Sequence, residues 1–79
     1  MKIKAALLKE WCNQHITPVA WQRIIIKALP LLKSKGYSLT DVESPKADVL
    51  LDEATYSALN AIALELYQID IPLSHLTVR

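Results

Sequence analysis

The sequence predicts an all-α fold, a single domain over residues 1–79 built as a small bundle of three to four amphipathic helices. Three observations carry that expectation. Apolar residues recur at spacings of three and four through long stretches of the chain. There is one glycine, Gly36, and there are four prolines, so little of the chain reads as disordered. The one run with strand character, Val49-Leu50-Leu51, has no obvious partner, and a strand cannot persist alone.

The first helix is expected over residues 3–14. Ile3, Leu7 and Trp11 recur at spacing four, with Leu8 and Cys12 beside them, while Lys2, Lys9 and Asn13 face away. His15 then falls in the last turn, where a cationic side chain meets the negative end of the helix dipole. Thr17 reads as an N-cap and Pro18 as the first helical residue, a position at which a missing N–H costs nothing.

The second helix is expected over residues 18–34, kinked at Pro30. Trp21, Ile24, Ile25, Ala28, Leu29 and Leu32 form a broad apolar stripe. Pro30 lacks a donor and crowds the carbonyl four residues earlier. Lys33, Lys35 and Gly36 make a basic last turn followed by a glycine stop.

Residues 37–51 read as helix or loop, with Ser44-Pro45 as a candidate cap. The third long helix is expected over residues 52–68. Asp52 can cap it, Glu53 suits its positive first turn, and Ala58, Leu59, Ile62, Ala63 and Leu66 mark one face. Beyond it, Ile69, Ile71 and Leu73 alternate around Pro72, which predicts a short extended C-terminal tail.

Bulk properties narrow the function classes. The chain is 52% hydrophobic over 79 residues, high for a domain near the size at which one core barely suffices. Small apolar domains without a staple complete their cores by self-association or by docking. Cys12 is the only cysteine, so neither an internal disulfide nor a multi-cysteine zinc site can form. The apolar run after the basic start, Ala5 to Leu8, is far shorter than a signal-peptide core or a membrane span. The expected setting is cytoplasmic, with no membrane partner. Net charge is +1 but lopsided: seven bases against Glu10 in residues 1–36, and seven acids against Lys46 and Arg79 in residues 37–79. Such asymmetry means either a basic face for an anionic partner or two halves that attract each other.

The stretch Trp11-Cys12-Asn13-Gln14-His15 holds a cysteine and a histidine three residues apart, close enough to share a helix face. A nucleophilic pair needs the histidine to hold the thiol proton, together with an orienting group and an oxyanion site. A metal site would need His75 and acids to complete it. Cys12 lies on the apolar stripe beside Leu8, which reads as core packing. One glycine cannot build a phosphate-cradling loop, and Asp52 and Glu53 read as a helix start. The chain is therefore expected not to be an enzyme, with no catalytic residue, no metal, no cofactor and no small-molecule substrate.

The segment "LKEWCNQHITPVAWQRIIIKALP", Leu8 to Pro30, resembles the opening of small phage excisionase-type DNA-binding proteins. In those, a short helix ending in a Glu-Trp pair leads through a turn into a helix carrying arginine and then proline. The resemblance implies a helix-turn-helix regulator whose second helix would meet DNA through Gln22, Arg23 and Lys27. Two departures stand beside it: the turn has no glycine, and no basic hairpin follows Pro30. A second segment, Asp52 to Val78, is similar to the second helix and following loop of acyl and peptidyl carrier proteins. The position of their phosphopantetheine serine is held here by Glu53, and Ser57 comes one turn later. That resemblance implies a carrier-like shape lacking the attachment serine.

The leading expectation from the residues themselves is a small non-catalytic binding or regulatory protein acting through protein–protein contacts, as a homodimer or docked on a larger partner. Its expected contact residues are Trp11, Trp21, Ile25, Tyr56 and Tyr67, chiefly aromatic types enriched at interface anchors. DNA is the alternative partner.

Overall fold

The structure is a computed structural model, and it describes residues 2–46 and 48–72. In chain order it runs β1 (Lys2–Lys4), α1 (Ala5–His15), α2 (Ala20–Ser34), α3 (Leu39–Glu43), β2 (Leu50–Asp52) and α4 (Glu53–Tyr67). The molecule is a small helical bundle, as the periodicity predicts. A two-stranded antiparallel ladder ties the start of the chain to the segment that leads into α4.

That ladder pairs Lys2 with Asp52, Ile3 with Leu51 and Lys4 with Leu50. The amide of Ala5 donates to the Val49 carbonyl at 3.1 Å, extending the pairing to the first residue of α1. Ile3 and Leu51 face each other and are both fully buried. The expected first helix therefore loses Ile3, and the helix-or-loop expectation for residues 37–51 gives way to a strand at its end. The physical reason is long-range. The partner that Val49-Leu50-Leu51 lacks nearby is "KIK", at the start of the chain, and three paired residues are held because both central side chains enter the core.

The core consists of Ile3 and Leu51 from the ladder, Leu8 and Cys12 from α1, and the inward residues of α2, α3 and α4. In α1 the buried line is Ala5, Leu8 and Cys12, with Leu7 exposed and Trp11 half-buried. The stripe is rotated from the expected Ile3–Leu7–Trp11 line: Ile3 belongs to the ladder, and the face that packs inward runs through Leu8 and Cys12.

α2 packs against α1, α3 and α4 and buries Ala20, Trp21, Ile24, Ile25, Ala28 and Leu32. It starts two residues later than expected. Pro18 lies in the turn, Val19 takes the cap position, and the Thr17 hydroxyl, though buried, has no hydrogen-bond partner among the described residues. The side chain that serves the start of α2 comes instead from α1: Asn13 Oδ1 accepts from the Trp21 amide at 3.3 Å. The helix continues through Pro30, which lies on the solvent side, to Ser34. Its end is a Schellman motif, with the Tyr37 amide donating to Leu32 O at 3.0 Å and the Gly36 amide to Lys33 O at 3.1 Å. Gly36 adopts φ +87°, so the predicted glycine stop is the residue that this geometry needs.

Ser38, rather than Ser44, caps the short helix, its hydroxyl accepting from the Asp41 amide at 3.2 Å. Asp52 caps α4 as expected, with Oδ1 accepting from the Thr55 amide at 3.0 Å. Leu59 and Ala63 are buried on α4 as the pattern indicates, joined by Thr55 and Tyr56, whereas Leu66 is exposed. After Gln68 turns left-handed at φ 58°, the tail returns along α4. Asn60 Oδ1 accepts from the Ile71 amide at 2.8 Å, the Tyr56 hydroxyl donates to the Ile71 carbonyl, and Ile71 is buried. The rest of the expected tail, including Leu73, lies outside the described residues.

Candidate functional site

Three of the five expected protein-contact residues are core. Trp21 is 1% exposed and donates its indole N–H to the Val42 carbonyl at 2.7 Å; Ile25 and Tyr56 are buried as well. Their side chains face inward and hold the bundle together. Trp11 and Tyr67 are half-buried and pack against the core. Aromatic residue type is enriched both at interfaces and in cores, and here the inward side of each helix decides between the two.

The structure also separates Cys12 from His15. Cys12 is fully buried, and that burial pushes its thiol up to about 11, so the thiolate is disfavoured near neutral pH. His15 is exposed, and its Nδ1–H donates to the Trp11 carbonyl at 3.1 Å. Its ring stacks on the Trp11 indole with centroids 4.7 Å apart and 14° between planes. The imidazole is thus committed to Trp11, and a nucleophile–base pair is not assembled. Among the described residues there is no group of three or more metal-ligating side chains; His75 lies outside them. No helix among them is long and apolar enough to cross a membrane.

Gln22, Arg23 and Lys27 are all exposed on α2. The helix carries Arg23, Lys27 and Lys33 and no acidic residue. Helical spacing puts Gln22, Arg23, Ile26, Pro30 and Lys33 on one outward face, and each of them is exposed. Lys27 lies at the edge of that face, where its amine meets Glu65 Oε1 of α4 at 3.1 Å. Lys35 similarly meets Asp52 Oδ2 at 3.3 Å. These two pairs join the basic half of the chain to the acidic half, so part of the lopsided charge is spent internally. Arg23 and Lys33 form no ion pair among the described residues.

Beside the start of α2 opens a cleft of about 280 Å³ lined by Lys9, Asn13, Pro18, Trp21, Gln22, Glu43 and Ser44. It lies where α1, the connecting turn, α2 and the end of α3 converge. Its walls supply hydrogen-bond donors and acceptors of both charge signs. Sequence reasoning missed Lys9 and Asn13 of this cleft and Ile26 of the outward α2 face. In the sequence pattern Lys9 and Asn13 face away from the apolar side of α1, and Ile26 falls outside the apolar stripe of α2.

No family model, curated protein or solved structure matches the chain.

Proposed function

We propose that this protein is a small non-catalytic regulator that binds duplex DNA through its α1–turn–α2 corner, with α2 as the helix that enters the major groove. The observation that carries the proposal is the sorting of α2 into two sides. Trp21, Ile24 and Ile25 enter the core, which leaves an outward face of Gln22, Arg23, Ile26 and Lys33 on a helix without a single acid. A broad apolar stripe is incompatible with a groove only when it is exposed, and here it is inside. Arginine, glutamine and lysine are the side chains suited to base edges and phosphates. The four-residue turn over residues 16–19 has the length of a helix-turn-helix connection.

A salt titration with a mixed-sequence duplex tests the proposal. Binding should weaken steeply between about 50 and 200 mM salt, and Arg23→Ala or Lys33→Ala should each lower the log–log slope by about 0.9. Lys27→Ala should change it less, because Glu65 already holds that amine. No binding at the lowest salt would sink the reading.

A second reading, protein–protein contact through a homodimer or a larger partner, draws support from α4. Leu64 and Leu66 are 44% and 39% exposed there. Sedimentation showing a dimer that Leu64→Lys dissolves, in a protein indifferent to DNA, would favour it. Either function is consistent with a cytoplasmic regulator.

A further inference from the structure

We propose that Ile26 is a specificity-determining contact on this face, reading the C5-methyl group of a thymine in the major groove. The inference rests on the DNA reading above and names what the apolar centre of the face would recognise. Ile26 is 60% exposed, although its neighbours Ile24 and Ile25 are buried at 0% and 1%. Three consecutive isoleucines thus divide between two sides of one helix. Helix propensity does not account for the outward one, since β-branched residues lose rotamer freedom against the preceding turn.

Its surroundings indicate the occupant. Gln22 lies one turn before Ile26 and Arg23 three residues before; Pro30 and Lys33 follow one and two turns later, and all four are exposed. From Gln22 to Lys33 the face extends about 16 Å, at the helical rise of about 1.5 Å per residue. A cationic rim around an apolar centre complements the major groove, where phosphates flank a floor on which the thymine methyl is the apolar feature. The groove is about 12 Å wide, which admits a helix. In such a pose Arg23 faces guanine O6 and N7, or a phosphate, and Gln22 faces adenine N6 and N7. Ile26 then meets a methyl group, and the contact removes apolar surface from water on both partners.

The experiment uses the full chain and a duplex library with a randomised core. After rounds of selection, the enriched duplex is resynthesised with deoxyuridine, which lacks only the methyl, replacing each thymine in turn. Affinities are then measured for the wild type and for Ile26→Ala, a surface substitution that leaves the core untouched. One replacement should weaken wild-type binding about fourfold, the worth of one buried methyl. The same replacement should leave Ile26→Ala binding unchanged, the signature of a direct coupling. Enrichment without any deoxyuridine effect, or with an equal effect in both proteins, overturns the role of Ile26 while the DNA reading stands. A library that does not enrich, with no binding at low salt, overturns the DNA reading itself. If a protein rather than DNA covers Ile26, that last result is the one obtained.

Discussion

The Trp21 indole N–H donates to the Val42 carbonyl oxygen at 2.7 Å, across the packed contact between α2 and α3. Both residues are buried, so the bond is made where water cannot replace it. Trp21→Phe keeps an aromatic ring but leaves that carbonyl unpaired, which should cost about 1–3 kcal/mol. Trp21→Ala should cost about 3–5 kcal/mol, because a cavity is added to the loss. Urea unfolding reads both, as a lower midpoint at unchanged slope. A Trp21→Phe protein as stable as the wild type would mean that the bond carries no weight.

The start of α2 offers a contrast between two polar side chains. Asn13 accepts from the Trp21 amide, whereas the Thr17 hydroxyl makes no bond among the described residues. Asn13→Ala should therefore cost about 0.5–2 kcal/mol, the range for a lost cap. Thr17→Val should stay within about 0.5 kcal/mol of the wild type. The opposite order would restore Thr17 as the cap that the sequence pattern indicates.

Asp52 links folding to pH. Its side-chain bond to the Thr55 hydroxyl, then the Thr55 amide and Lys35, hold its carboxyl at about 2, below the ordinary 3.8. A depressed folded value stabilises the protein above about pH 4, and that contribution is lost as pH falls towards 2. Thr55→Val removes the largest cause and should flatten the stability profile between these limits. Asp52→Asn should abolish the carboxylate's share of it. A profile of unchanged steepness in both variants would show that other carboxylates govern the acid limb.

Glu65 restrains Lys27 through an exposed pair, and such pairs contribute about 0–1 kcal/mol. Glu65→Gln should accordingly leave the urea midpoint almost unmoved. Under the DNA reading it releases a cation at the edge of the α2 face and removes a like charge from the phosphates. Affinity for duplex should rise, and the salt slope should steepen by up to about 0.9. Weaker binding would place the contact surface elsewhere.

The tail is strapped to α4 from two sides. Asn60 serves both the Ile71 amide and, through its Nδ2 at 2.6 Å, the Asp70 carboxylate, while Tyr56 donates to the Ile71 carbonyl. Burial and the Asp70 charge push the Tyr56 phenol up, so it remains a donor at neutral pH. Tyr56→Phe and Asn60→Ala should each cost about 1–3 kcal/mol. Both should speed hydrogen exchange at the Ile71 amide more than at core amides of α2. Equal acceleration everywhere would make the strap part of the global unfolding unit.

Much of the helical architecture was legible in local pattern. The bounds of α4, the cap at Asp52 and the glycine stop at Gly36 follow from periodicity and terminal chemistry, which act between residues close in sequence. The β1–β2 ladder was not legible, because its two strands lie about 50 residues apart in sequence and neither carries enough residues to announce a strand. Site residues divided along the same line. Gln22, Arg23 and Lys27 were readable as outward, since polar residues opposite an apolar stripe have one place to go. Trp21 and Tyr56 were not readable, because an aromatic with a polar handle suits either a surface or a core that offers it a carbonyl.

Spacing and turn chemistry thus decide, from the chain alone, that α2 and α4 form and where they end, since those forces act over a few residues. Whether Trp21 and Ile25 meet a partner or the core, whether Asn13 or Thr17 serves the second helix, and which acids Lys27 and Lys35 meet are settled by which elements pack together. Those outcomes depend on neighbours such as Val42, Asp52 and Glu65, brought close only by the fold.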